Sequence, residues 1–425
     1  MRVLLVNTSE NTGGAAVAAN RLMNALNNNG VKAKMLVRDK LTNDITVVGL
    51  PQGPAQHWHF LWERWCIYCH LHFCKKHLFE IDIANSGNDI THLREFKEAD
   101  VIHLHWINQG MLSLADIRKI LESGKPVVWT MHDFWPATAI CHYPHQCTAF
   151  AQDTCHNCPY LPGGGSAHDL AHAVWKKKDR ILSNHNLFFV TCSRWLGNKV
   201  RDSRLLTGKM VTTIPNPIDT HLFKPEDKKE ARMRATLPQG KRLILFVSQR
   251  ITDKRKGVSY FIEACRLLSD AHPELRDDLC VVILGGHAED IAPQLPLPVY
   301  PIGYIADERR IVDVYNSVDL FVLPSLEDNL PNTIIEAMAC GVPCVGFNTG
   351  GIPEEIDHKK NGYIAQYKNA QDLAAGMEWT LLQAPYAELS ENAVKKVSAQ
   401  FSQHAVALKY SDVYEQAMAF NNYRL

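Results

Sequence analysis

One short polar stretch holds the densest group of side chains able to bind a charged, hydroxyl-rich ligand. Residues 324–343, PSLEDNLPNTIIEAMACGVP, place Glu327, Asp328, Asn329 and Leu330 in a turn and Glu336 further along. Thr333 and Glu336 have the spacing of a capping box, which predicts a helix N-terminus beside the acids. Free amides and the positive end of a helix dipole favour an anion, while the carboxylates can hold hydroxyl groups. An ordinary strand-to-helix connection would fit the same spacing. The second candidate is cationic: Arg250, Lys254, Arg255 and Lys256 precede Gly257 and a helical pattern. Guanidinium and ammonium groups at that place suit a diphosphate, although most charge runs are simply solvated.

These residues need a framework, and the apolar runs supply it. Arg242 to Ser248 reads as a buried parallel strand leading into the cationic loop, and Leu320 to Leu323 as the strand leading into the acidic turn. Cys280 to Leu284 with Gly285-Gly286, and Val342 to Phe347 with Thr349-Gly350-Gly351, repeat the pattern of strand and glycine turn.

The first half of the chain has the same alternation. Arg2 to Asn7 is a strand, Gly13-Gly14 a glycine turn, and Ala15, Ala19, Leu22 and Leu26 recur at helical spacing before Gly30. No complete G-x-G-x-x-G is present, so a dinucleotide is not indicated. Gly13 and Gly14 would let a backbone approach a substrate closely. The strands ADVIHLHW (99–106) and Val127 to Met131 end in histidines. In a doubly wound sheet His132 then falls at a carboxyl end, where an imidazole can bind a hydroxyl or move a proton.

Two segments stand apart. Residues 57–79, HWHFLWERWCIYCHLHFCKKHLF, put Trp58, Trp62, Trp65, Cys69 and His72 on one helical face with Arg64, Lys75 and Lys76 alongside. The reading adopted is a helix packed on its own domain; the other is a helix resting in a membrane interface. Cys141, Cys147, Cys155 and Cys158 lie within 18 residues. That density fits a structural zinc clip on a loop, and equally reduced thiols packed there.

Length and composition fit this picture. The chain has 425 residues, enough for two domains with separate cores, and 45 basic against 45 acidic side chains, which gives no bulk attraction to nucleic acid. No run of 18 apolar residues occurs, and MRVLLVNTSE reads as a strand and loop rather than a signal peptide, so a cytoplasmic protein is expected. Pro215 to Asp219, followed by a charged stretch from Lys224, marks the boundary between an N-terminal domain (1–222) and a C-terminal domain (223–402). The helical tail 403–425 could cross back onto the first domain.

Gly13-Gly14, Arg250 with Lys256-Gly257, EDNLPNTIIEAMACGVP and NTGGIPEE (348–355) occur in the order of a known family. Over most of its length the chain resembles the retaining glycosyltransferases of family 4, which have the GT-B architecture: two Rossmann-like, doubly wound parallel-sheet α/β domains facing across a cleft. ADVIHLHW, WTMHDFWP and the CHY…C…C…CP segment further resemble polysaccharide glycosyltransferases of colanic-acid type, which build capsule, exopolysaccharide or O-antigen. The resemblance implies that Arg250 and Lys256 neutralise the diphosphate of a nucleotide-sugar donor without a catalytic metal, and that Glu336 binds the ribose. Asp328, Glu327, Asn329 and Leu330 would meet the donor, and Gly13, Gly14 and His132 the reacting sugar and acceptor. The family pattern places a glutamate eight residues before Glu336, where this chain has Asp328, and a glycine where it has Pro331. Asp328 is one methylene shorter, so neighbouring Glu327 is the alternative sugar ligand. The acceptor implied is a growing, lipid-linked or free glycan; peripheral contact at the inner membrane surface is the alternative left open by residues 57–79. A sugar-nucleotide epimerase and a non-catalytic nucleotide- or carbohydrate-binding protein are the competing readings.

Overall fold

The computed structural model describes residues 1–51, 53–152 and 154–422. It divides into two compact units, one formed by Met1–Pro217 together with the chain from Val406 onward, the other by Ile218–Ala405. Positions 423–425 of the tail lie outside the described residues.

The first unit is built on seven parallel strands: β1 (Arg2–Ser9), β2 (Lys32–Asp39), β3 (Val47–Gly49), β4 (Val101–Leu104), β5 (Val127–Met131), β6 (Phe188–Thr191) and β7 (Met210–Thr213). Their order is β3-β2-β1-β4-β5-β6-β7, so the winding reverses between β1 and β4. The central strands are apolar on both faces because helices cover both. The Gly14–Asn28 helix buries Ala16, Ala19, Leu22, Met23 and Leu26. On the same side the Gln403–Asn422 helix adds Val406, Tyr410, Val413, Tyr414 and Ala417 to the cluster around Val3, Leu5 and Val128. Its tyrosines also satisfy buried polar groups of the sheet. The Tyr414 hydroxyl lies 2.7 Å from His103 Nδ1, and the Tyr410 hydroxyl 2.9 Å from Thr130 Oγ1.

The aromatic helix spans Pro54–His70 and ends sooner than its sequence implies. His72 and Phe73 adopt positive φ and turn the chain, so His72 is not on the helical face. Nor do the tryptophans pack on their own domain as expected: Trp58, Trp62 and Trp65 are exposed. The face that does pack carries two charged side chains beside Ile67 and Leu71. Glu63 accepts from the amides of Ile83 and Ala84, and Arg64 pairs with Asp82 and donates to the Leu78 carbonyl.

The second unit repeats the design with six parallel strands: β8 (Arg242–Arg250), β9 (Leu279–Gly286), β10 (Val299–Gly303), β11 (Leu320–Leu323), β12 (Cys344–Phe347) and β13 (Gly362–Ala365). The order is β10-β9-β8-β11-β12-β13, with its reversal between β8 and β11. β8 continues two residues beyond Ser248 because an irregularity in its register with β9 re-forms the pairing at Arg250 and Gly286.

Candidate functional site

In open parallel sheets ligands bind beyond the carboxyl ends of the strands at the point where the winding reverses. In the second unit that point lies between β8 and β11. The loops leaving these strands are the cationic segment and the acidic turn.

The two loops are seamed together. The Leu326 amide donates to the Arg255 carbonyl at 2.7 Å. Gly257 has φ +71°, and a Cβ there would fall 1.9 Å from the Pro324 carbonyl, so no other residue fits. Lys256 Nζ reaches Asp328 Oδ2 at 2.5 Å, and Ser325 Oγ donates to the same oxygen at 3.1 Å. The loop after β12 closes from the other side, where the Gly351 amide donates to the Asp328 carbonyl at 3.1 Å. Burial by itself would raise the Asp328 carboxyl; the charges of Lys256 and Arg255 hold it below the usual carboxylate range.

Of the two acids left open by the sequence, Asp328 is the buried one, and Glu327 is half-buried with its carbonyl facing Arg255. Asn329 and Leu330 are buried beside Asp328. Arg250 stands exposed at the end of β8, with no ion-pair partner among the described residues. The site thus offers one cation committed to an internal carboxylate and another turned to solvent.

The following helix starts at Asn332, two residues earlier than a capping box on Thr333 requires. Pro331 occupies the N-cap with φ −71° and no side chain caps the helix. Thr333 therefore lies inside the first turn. Glu336, released from that duty, is buried and accepts from the Tyr315 hydroxyl at 2.8 Å. Tyr315 was not legible as a site residue; it belongs to the preceding Glu308–Ser317 helix, 21 residues upstream.

In the first unit, Gly13 has φ +93° and starts the Gly14–Asn28 helix with neither a capping side chain nor an acid in its first turn. A Cβ on Gly13 would meet nothing within 4 Å, so the space above it is open and φ alone favours glycine. His132 follows β5 as anticipated, yet both ring nitrogens have protein neighbours: Nε2 lies 3.0 Å from His105 Nδ1, and Nδ1 3.6 Å from Cys192 Sγ. Burial lowers His132 to about 4, which keeps its ring neutral near pH 7.

Behind it lies a network that the sequence did not reveal. His142 sits between two carboxylates, with Nδ1 2.7 Å from Asp133 and Nε2 2.5 Å from Asp82. Asp133 also accepts from Trp106 Nε1 and the Trp135 amide, both at 2.9 Å. The available signal was the isolated acid in Ile81-Asp82-Ile83, since a charge within an apolar run needs a buried partner.

Cys141, Cys147, Cys155 and Cys158 line one cavity of about 20 Å³ together with Phe150 and Tyr160. As they stand, among the described residues no group of three or more His, Cys, Asp or Glu side chains is placed to hold a metal ion.

Residues 12–222 match the family model described as Glycosyltransferase Family 4, and residues 227–397 the model described as Glycosyl transferases group 1. A D-inositol 3-phosphate glycosyltransferase of Catenulispora acidiphila is 29% identical over 225 residues, 49% of this chain and 51% of that protein. The amylovoran biosynthesis glycosyltransferase AmsK of Erwinia amylovora is 30% identical over 213 residues, 46% of this chain and 49% of its own. The matches to these two relatives thus span about half their lengths. The Anabaena protein HepE, solved in complex with UDP-glucose, shares the fold with a TM-score of 0.63 at 15% identity, over 98% of this chain and all of that one.

Proposed function

Since the chain belongs to the glycosyltransferases of family 4, with two Rossmann-like domains of the GT-B type, we propose that it moves a hexose from a nucleotide diphosphate sugar to a hydroxyl of a growing surface polysaccharide, with retention at the anomeric carbon. The observation that carries this reading is the Lys256–Asp328 pair at the β8/β11 reversal, with Arg250 exposed beside it.

In the proposed reaction the donor diphosphate enters against Arg250 and Lys256, whose positive charge balances the charge growing on the departing phosphate. The bond from the anomeric carbon to the phosphate oxygen breaks, and the acceptor oxygen bonds to the same face of that carbon. The acceptor proton passes to the leaving phosphate oxygen. The two side-chain cations supply the charge stabilisation that a metal ion supplies in other transferases. Asp328, already drawn to Lys256, is positioned to take sugar hydroxyls, and Glu336, oriented by Tyr315, to take the ribose. His132, neutral and engaged at both nitrogens, acts as a wall for the reacting sugar rather than as the base. The likeness to AmsK, named for amylovoran biosynthesis, supports a polysaccharide acceptor, and the HepE complex with UDP-glucose supports a nucleotide-sugar donor.

The test is a melting-temperature panel of UDP, GDP and ADP sugars, followed by transfer of the stabilising sugar to a glycan acceptor. Stabilisation followed by transfer is the expected result. Conversion of the donor alone to an epimer, or binding without transfer to any acceptor, would overturn it.

A further inference from the structure

The Pro54–His70 helix carries an apolar surface that nothing in its own unit covers. Trp58, Leu61, Trp62 and Trp65 are 60%, 57%, 42% and 54% exposed, and Phe73 in the turn that follows is 63% exposed. The rings fall into two groups one helical turn apart: Trp58 stacks on Trp62 with centroids 5.9 Å apart, while Trp65 meets Tyr68 at 6.2 Å and Tyr68 meets Phe73 at 5.5 Å. Folded proteins seldom leave a patch of this kind to water without a use for it.

The helix is held firmly from beneath. Its inner face buries Gln56, Glu63, Arg64, Ile67 and Leu71. The ladder of Glu63 to the Ile83 and Ala84 amides, and of Arg64 to Asp82, fixes its rotation. The helix also lies tight on Gly110, where a Cβ would come 2.7 Å from the Phe60 amide nitrogen. The tryptophans are therefore presented outward by design of the packing, not by fraying.

Charge decides what they meet. Of the acids from Gly53 to Glu80, Glu63 is buried and Glu80 is paired with His77 at 3.0 Å, whereas Lys75 and Lys76 are exposed. A second copy of this face would set like charges against each other, which disfavours self-association. Tryptophan, by contrast, favours the boundary between headgroups and acyl chains, and lysines at that level attract anionic lipid. No helix among the described residues is long and apolar enough to cross a membrane. We propose that the outward face of this helix, with the turn through Lys76, docks on the surface of an anionic phospholipid bilayer and lies in its interface without spanning it. This rests on the exposed face alone and not on the transfer reaction, so either can fail without the other.

The test uses the full chain with vesicles of phosphatidylcholine alone or mixed with phosphatidylglycerol. The expected result is cosedimentation and a blue shift of tryptophan emission with the mixed vesicles, roughly tenfold weaker without the anionic lipid. Combined Trp58→Ser, Trp62→Ser and Trp65→Ser should abolish both signals with unchanged circular dichroism. Lys75→Glu with Lys76→Glu, both in the exposed turn, should remove the preference for anionic lipid and serves as the test if the tryptophan variant misfolds. Failure of the parent protein to bind mixed vesicles would overturn the proposal. So would variants that bind as well as the parent, or a dimer in sedimentation velocity that the tryptophan changes dissociate.

Discussion

Lys256 and Asp328 form an ion pair at 2.5 Å between two loops that leave neighbouring strands on opposite sides of a winding reversal. Both side chains are mostly buried, so each is the other's principal counter-charge. Lys256→Ala should abolish transfer while the fold persists, at a stability loss of about 3–5 kcal/mol near pH 7 from the stranded carboxylate. Adding Asp328→Asn should return most of the stability and none of the turnover. The pair depresses the Asp328 carboxyl, so its contribution is complete above the ordinary value of 3.8 and disappears as pH falls through the lower native value. Urea titrations at neutral and strongly acidic pH should show the gap between parent and Lys256→Ala closing in acid.

Tyr315→Phe removes the hydroxyl that orients Glu336. If Glu336 holds the ribose, the donor KM should rise roughly tenfold with kcat little changed, as when binding shared by ground and transition states is lost. An equal fall in kcat and kcat/KM would instead tie Glu336 to the transition state. Steady-state kinetics with varied donor distinguishes the two.

His142 is the shared partner of Asp82 and Asp133. His142→Ala leaves two buried carboxylates with fewer donors and should cost about 3 kcal/mol, visible as a lowered melting temperature. His142→Gln, which can still donate to one of them, should recover part of the loss.

The twelve cysteines should differ sharply in reactivity. Cys74 is exposed, whereas burial raises Cys155 to about 11 and Cys158 and Cys192 to about 12. Since the thiolate is the nucleophile, a maleimide pulse at neutral pH should label Cys74 first and leave those three unmodified until denaturant is added. Peptide mass spectrometry reads the outcome.

The strands were legible wherever a short apolar run broke into a glycine-bearing or charged loop, which is why β1, β8, β9 and β11 sit close to where their residues place them. The cationic loop and acidic turn were legible for the same reason, since strand ends in such sheets face ligand. What escaped notice depended on distant partners. Thr333 and Glu336 have capping spacing, but Pro331 takes the N-cap and Tyr315, on another helix, claims the carboxylate. Asp82, Asp133 and His142 are scattered, the first and last 60 positions apart in sequence, and meet only in the folded unit. The tryptophan helix was misjudged because amphipathic spacing does not say which face is inward; here Glu63, Arg64 and Asp82 outcompete three indoles for the interior.

Tyr410 and Tyr414 have a consequence for biosynthesis. They close hydrogen bonds to Thr130 and His103, residues made some 280 and 311 positions earlier. Until the Gln403–Asn422 helix has emerged from the ribosome, the nascent first unit exposes one flank of its sheet and leaves buried hydroxyl and imidazole groups short of partners. The first unit thus begins before the second along the chain and is completed after it, so the second can finish folding while the first still waits.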